Sequence, residues 1–142
     1  EQTKNMKVKT IMDLYVDVIE CKSFPGLEKM TRVHKKIDIV IMRQNTEGEY
    51  VSLEHEPVRN VLENVQIITY YNTKRVCEYA FNYAIDNGRS KVTLLHNQDV
   101  NPLTENLMRE AFDDVASKYP DIQGEKHSVN HGLKMLVKDE KA

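Results

Sequence analysis

The 142-residue sequence predicts an α/β layer fold. Runs rich in β-branched and aromatic residues alternate with runs whose apolar residues recur at helical spacing. One β-like run, IDIVIM at residues 37–42, is almost continuously apolar, which suits a strand covered on both faces. Two helical stripes end at clear stop signals, Gly88 and Pro120.

Taken in order, IMDLYVDV at residues 11–18 predicts the first strand, and KSFPG at 22–26 a turn. The basic stretch 29–36 predicts an exposed loop, followed by the strand at 37–42. The chain stays extended over 49–54 until Pro57 interrupts it. VLENVQIITYY at 61–71 alternates and predicts extended chain through 65–70, after which Asn72 or Thr73 caps a helix. Val76, Cys77, Ala80, Phe81, Ala84 and Ile85 form the apolar stripe of that helix, and Gly88 closes it. KVTLL at 91–95 predicts a short buried strand. Thr104 with Glu105 opens a second helix, with Leu107, Met108, Ala111, Phe112, Val115 and Ala116 on its buried face. No internal repeat or low-complexity segment breaks this order.

The length fits one domain on the expectation of roughly 100–200 residues each, and 40% hydrophobic residues supply a modest core. A net charge of -2 excludes an acidic tail or a basic nucleic-acid binder. Cys21 and Cys77 form no CxxC arrangement and predict two reduced thiols of an intracellular protein. No apolar run approaches the roughly 18 residues of a membrane span, and no secretory signal opens the chain. Residues 1–9 are polar and mixed in charge, so a mitochondrial address does not lie there. The start without Met, directly before a strand-like run, predicts a fragment or a processed product.

No GxGxxG motif, P-loop or zinc-ligand spacing occurs. The five histidines are scattered, and His34, His127 and His131 read as surface or packing residues. The informative stretch is MRQNTEGEY at residues 42–50, which leaves an apolar strand abruptly. Strand ends of this kind are where α/β proteins place ligands. Arg43 offers a planar fork suited to a carboxylate, and Tyr50 a phenol able to donate or relay a proton. On chemistry alone the same residues read first as a solvated turn.

RQNTEGEYVSLEHE, from Arg43 onward, resembles the signature of the isocitrate and isopropylmalate dehydrogenase family, and LEHE after EGEY is similar to its NAD-dependent mitochondrial branch. MDLYVDVIECKSFPG, TKRVCEYAFNYAIDNGRSKVTLLH and VASKYPDIQ resemble the flanking parts of that fold, so the likeness covers nearly the whole chain. The resemblance implies one partial domain over residues 1–142, the central part of the family's α/β fold, without its start and end. It also implies a dimer clasp at about residues 57–70.

The resemblance further implies a tricarboxylate pocket. Thr3 and Asn5 fall at its hydroxyl and amide positions, and Lys9 where an Arg is usual. Ile19 falls where catalytic subunits carry a second Arg, as in regulatory β- and γ-type subunits. Arg43 keeps the third Arg, and Tyr50 matches the tyrosine that protonates the enolate. Asn97 stands where the family has a Lys that crosses to the partner's site, and Asn130 where it has a metal-binding Asp. Neither amide supplies a titratable amine or an anionic oxygen.

The expected function is therefore a regulatory-type or degenerate subunit of a NAD-dependent isocitrate dehydrogenase that binds citrate or isocitrate. The other expectations considered are an interaction paralogue without ligand and a catalytic subunit completed by a partner. NAD and Mg²⁺ or Mn²⁺ are expected of the family but not of this chain alone, which is expected not to catalyse. The expected partner is a catalytic subunit or a second copy joined through the clasp, with no nucleic acid and no membrane. The expected location is the mitochondrial matrix.

Overall fold

The computed structural model describes residues 4–26 and 36–138. Its elements are α1 (Lys4–Ile11), β1 (Val16–Lys22), β2 (Asp38–Gln44), β3 (Gly48–Val58), β4 (Val61–Ile67), α2 (Tyr70–Asp86), β5 (Lys91–His96), α3 (Pro102–Ala116), β6 (Gln123–Ser128) and α4 (Val129–Lys138). β1 pairs antiparallel with β2, β3 with β4, and β5 runs parallel to β6. The mixed α/β class expected from the sequence is the observed one. β5, α3 and β6 form a βαβ unit, and α2 packs against α3, β2 and β5.

The core sits where α2 and α3 meet. Phe81, Ala111 and Val115 are fully buried, and Cys77, Ala84 and Phe112 are nearly so. The Phe81 ring lies 5.5 Å from Phe112 and stacks on Tyr119 at 5.2 Å. Cys77 shares this cluster, and burial pushes its thiol up to about 11, so it stays protonated at neutral pH. The stripes of α2 and α3 face inward as expected except at Ile85, which is 54% exposed.

Several boundaries differ from the sequence expectation. Residues 4–11 are helical, and the first strand begins at Val16 rather than at residue 11. The helix is closed by a motif the sequence concealed. The Leu14 N–H donates to Lys9 O at 2.9 Å, the Asp13 N–H donates to Thr10 O at 3.3 Å, and Asp13 holds φ 48°. That is a Schellman closure with an aspartate in the place glycine usually takes. α2 ends the same way with the expected glycine: Gly88 has φ 61°, and the Arg89 N–H donates to Ala84 O at 2.8 Å. Thr69, not Asn72 or Thr73, caps the start of α2, accepting the Asn72 N–H, while Thr73 is buried inside the helix.

Pro57 lies within β3 instead of ending it. It falls between His55 and Val58, where the β3–β4 register shifts, so its missing N–H leaves no ladder bond broken. β4 ends at Ile67, short of the extension expected through residue 70. β2 is not covered on both faces, because Ile41 is 49% exposed beside its cross-strand partner Ile19 at 44%. β6 and α4 were not anticipated from the sequence. The loop expected at 29–36 and His34 lie outside the described residues, apart from exposed Lys36.

Replacing the ring at the centre of the cluster removes contacts that α2 and α3 share. Phe81→Ala should cost about 3–5 kcal/mol, read as a lower urea midpoint at unchanged slope. A loss below about 1 kcal/mol would show that the α2–α3 contact is not the core.

Candidate functional site

β2 carries Arg43 and Gln44 to its end, and the chain then turns through residues 45–47 into β3. Asn45 is the buried polar residue of this turn, at 6% exposure. Burial requires its amide to find partners. Its Oδ1 accepts from Lys9 Nζ at 2.9 Å, its Nδ2 donates to Leu14 O at 3.3 Å, and its backbone N–H donates to Tyr15 O at 3.0 Å. α1 and its connection to β1 are thereby seated on the β2–β3 turn.

The same seating brings two cations to Tyr50. Lys9 Nζ is 5.9 Å and Arg43 Cζ 4.9 Å from the centre of its half-buried ring. Both distances fall within cation–π range. Arg43 Nη2 also donates to Glu49 Oε1 at 3.0 Å, in a pair exposed on both sides. The guanidinium thus meets both the phenol ring and a carboxylate.

Glu47 fixes the turn from the other side. Its Oε1 accepts from Thr69 Oγ1 at 2.7 Å and Asn72 Nδ2 at 2.5 Å. Its Oε2 accepts from the Thr69 N–H at 2.8 Å and Gln44 Nε2 at 3.1 Å. Partial burial opposes ionisation, but these bonds from Asn72, Thr69 and Gln44 outweigh it and hold the carboxyl below its ordinary value of 4.5.

Of the other expected site residues, Asn5 is exposed on α1, one turn before Lys9 and on the same face, and Thr3 lies outside the described residues. Asn97 is exposed in the turn after β5, its carbonyl accepting the Val100 N–H at 3.0 Å. Asn130 is exposed in the first turn of α4. Among the described residues no hydrogen bond or ion pair joins Asn97 or Asn130 to Lys9, Arg43 or Tyr50. The described residues also group no three His, Cys, Asp or Glu side chains in a way that could hold a metal ion. Asn130, where the resemblance implies a metal-binding Asp, offers a hard divalent cation only a neutral amide.

Sequence reasoning missed Asn45 and Glu47 as site-building residues. Their signal was the polar run directly after an apolar strand, whose buried members must be satisfied from elsewhere. It also missed Arg75, which lies 3.9 Å over the Tyr15 ring and pairs with Asp13 at 2.5 Å. Arg75, Tyr79, Tyr83, Glu78 and Asp86 help line a half-open cavity of about 260 Å³. That cavity excludes Arg43 and Tyr50, and its cation is already engaged, so it offers an anion no free partner.

A strand-end turn stapled between two helices, with a lysine and an arginine gathered at a phenol, defines an α/β protein with a polar, charged strand-end site. The chain belongs to the isocitrate/isopropylmalate dehydrogenase family, whose profile matches residues 1–142. It is 45% identical over 136 residues to the mitochondrial NAD isocitrate dehydrogenase gamma subunit of Homo sapiens, covering 96% of this chain and 34% of that protein. It is 38% identical to mitochondrial NAD isocitrate dehydrogenase regulatory subunit 2 of Arabidopsis thaliana, covering 94% and 35%. Among solved structures it is similar to the isocitrate dehydrogenase of Methylococcus capsulatus, with TM-score 0.88, 29% identity, and 99% and 42% coverage. It is similar also to the TT0538 protein of Thermus thermophilus, with TM-score 0.90, 27% identity, and 99% and 28% coverage. The chain spans about a third of the length of these curated relatives.

The lowered Glu47 pKa sets an acid limit. A carboxyl depressed on folding contributes stability that is complete above its unfolded value and is lost as pH falls through its folded one. Relative to Glu47→Gln, the parent should therefore be more stable above about pH 4.5, with the difference closing below it. Urea midpoints at a series of pH values check this. A difference independent of pH would show that the carboxylate is not the stabilising form.

Proposed function

We propose that this chain belongs to a regulatory-type subunit of a NAD-dependent isocitrate dehydrogenase and that it holds a tricarboxylate, citrate or isocitrate, between Lys9 and Arg43. The observation that carries the reading is the convergence of these two cations on Tyr50, away from neutral Asn97 and Asn130. Arg43 supplies the fork and Lys9 a point charge, and the Asn5 amide can donate a further hydrogen bond to a carboxylate. The gamma and regulatory subunits among the relatives support the regulatory reading. They also support partner subunits and the mitochondrial matrix. NAD and Mg²⁺ or Mn²⁺ then belong to the assembled enzyme, and this chain alone turns over no isocitrate.

The hairpin β3–β4 is the proposed clasp. Leu62 is 80% exposed, Val58 61% and Ile67 41%. A two-stranded ribbon that leaves these apolar side chains exposed is stabilised by a covering partner. Ile67→Lys in the full-length protein should shift sedimentation to monomer or aggregate. An unchanged assembly would remove the hairpin from the interface.

Calorimetric titration of citrate into the assembled protein tests the pocket. Arg43→Ala should weaken binding about tenfold or more, because charge-assisted contacts exceed neutral ones, and Tyr50→Phe clearly less. Glu49→Gln frees the guanidinium from an exposed and therefore weak pair, so affinity should rise about two- to fivefold. The Arg43–Glu49 pair is also what a vestigial, ligand-free pocket would show. Absence of citrate binding by the parent decides for that structural reading.

A further inference from the structure

Glu47 touches more of the molecule than its place in a turn requires. Two of its four hydrogen bonds come from Thr69, which follows β4 and caps α2. A third comes from Asn72 in the first turn of α2, and the fourth from Gln44, the neighbour of Arg43 and Asn45. β3 starts at Gly48, the next residue, and Gly48 pairs with Ile67 at the end of β4. The ladder then shifts register between Gly48 and Leu53. Both legs of the hairpin are therefore held at Glu47, one by the chain and the other by the carboxylate.

We propose that Glu47 is a positioning residue that couples the Lys9–Arg43–Tyr50 pocket to the root of the β3–β4 hairpin, so that ligand in the pocket and partner on the hairpin strengthen each other. The inference rests on the tricarboxylate reading of the pocket given above. The partners facing the carboxylate are all neutral: Gln44 from β2, Thr69 and Asn72 from the start of α2. Nearby cations are engaged elsewhere, Arg43 by Glu49 and Arg75 by Asp13, and Arg75 reaches Glu47 only through Asn72 Oδ1 at 3.2 Å. Neutral donors on an ionised acceptor make strong directional bonds that fix geometry. An amide in its place turns one acceptor oxygen into a donor that faces other donors. Order at the pocket then no longer costs the hairpin root less freedom, and the two sites bind independently. By linkage, whatever citrate adds to assembly, assembly adds to citrate affinity.

The experiment uses the full-length chain assembled with its partner subunit. Subunit dissociation is measured by sedimentation with and without citrate, and citrate affinity by calorimetry, for the parent, Glu47→Gln, Thr69→Ala and the double variant. In the parent, citrate should tighten assembly about tenfold, within the usual range of coupling. In Glu47→Gln that tightening should vanish, and citrate affinity should fall about tenfold. The double variant should bind citrate about as Glu47→Gln does, because both changes break one contact. Amide exchange should quicken over residues 43–72 and nowhere else, which a general loss of stability would not produce. Equal tightening in parent and Glu47→Gln, with citrate bound by both, overturns the coupling and leaves the pocket intact. A parent that binds no citrate overturns the pocket reading and the coupling with it. Should Glu47→Gln fail to assemble, Gln44→Ala, which removes one bond of the four, is judged by the same loss of tightening.

Discussion

Everything near the candidate site follows from one constraint: a polar turn directly after an apolar strand must find partners for its buried groups. Asn45 finds them toward α1, in Lys9, Leu14 and Tyr15. Glu47 finds them toward α2, in Thr69 and Asn72. Two residues apart, these side chains staple a helix to each side of the turn. The Asn45 staple places Lys9 at Tyr50, and the Glu47 staple holds the root of the hairpin. The hydrophobic cluster around Phe81 holds α2 in place, and so serves the site from a distance.

On the proposed reading, the chemistry of the site is that of holding a ligand carboxylate. A lysine and an arginine flank a phenol, and the arginine already rests on a carboxylate of its own chain. Glu49 accepts from one nitrogen of the fork, Nη2 at 3.0 Å, and on the proposed reading a ligand carboxylate competes with it there. Turnover makes further demands, a titratable amine and anionic metal ligands, where this chain has Asn97 and Asn130. On the proposed reading, Arg43 and Tyr50 are kept while Asn97 and Asn130 stand in place of an amine and a carboxylate, a pattern that suits a regulatory subunit.

The sequence made the fold class legible through period and punctuation. The stripes at Cys77, Phe81 and Ala84 and at Ala111, Phe112 and Val115 are the observed core, and Gly88 ends α2 by the expected closure. α1 escaped because its stop signal is Asp13 in a left-handed conformation, a place where glycine is the readable residue. Pro57 misled because a register shift removes the bond it would break. β6, QGEKHS, is polar and nearly without β-formers, so only its parallel pairing with β5 makes it a strand. Arg43 and Tyr50 were legible as a motif. The side chains that set their geometry, Asn45 and Glu47, were not, because their partners lie 22 to 36 positions away along the chain.

The central claim is that Lys9 and Arg43 together hold a carboxylate beside Tyr50. A crystal structure of the assembled full-length protein grown with citrate tests it most directly. The account predicts a citrate carboxylate within hydrogen-bond distance of both Lys9 Nζ and the Arg43 guanidinium, with Glu49 displaced from Arg43. Citrate bound elsewhere, or an undisturbed Arg43–Glu49 pair at saturating citrate, would contradict it.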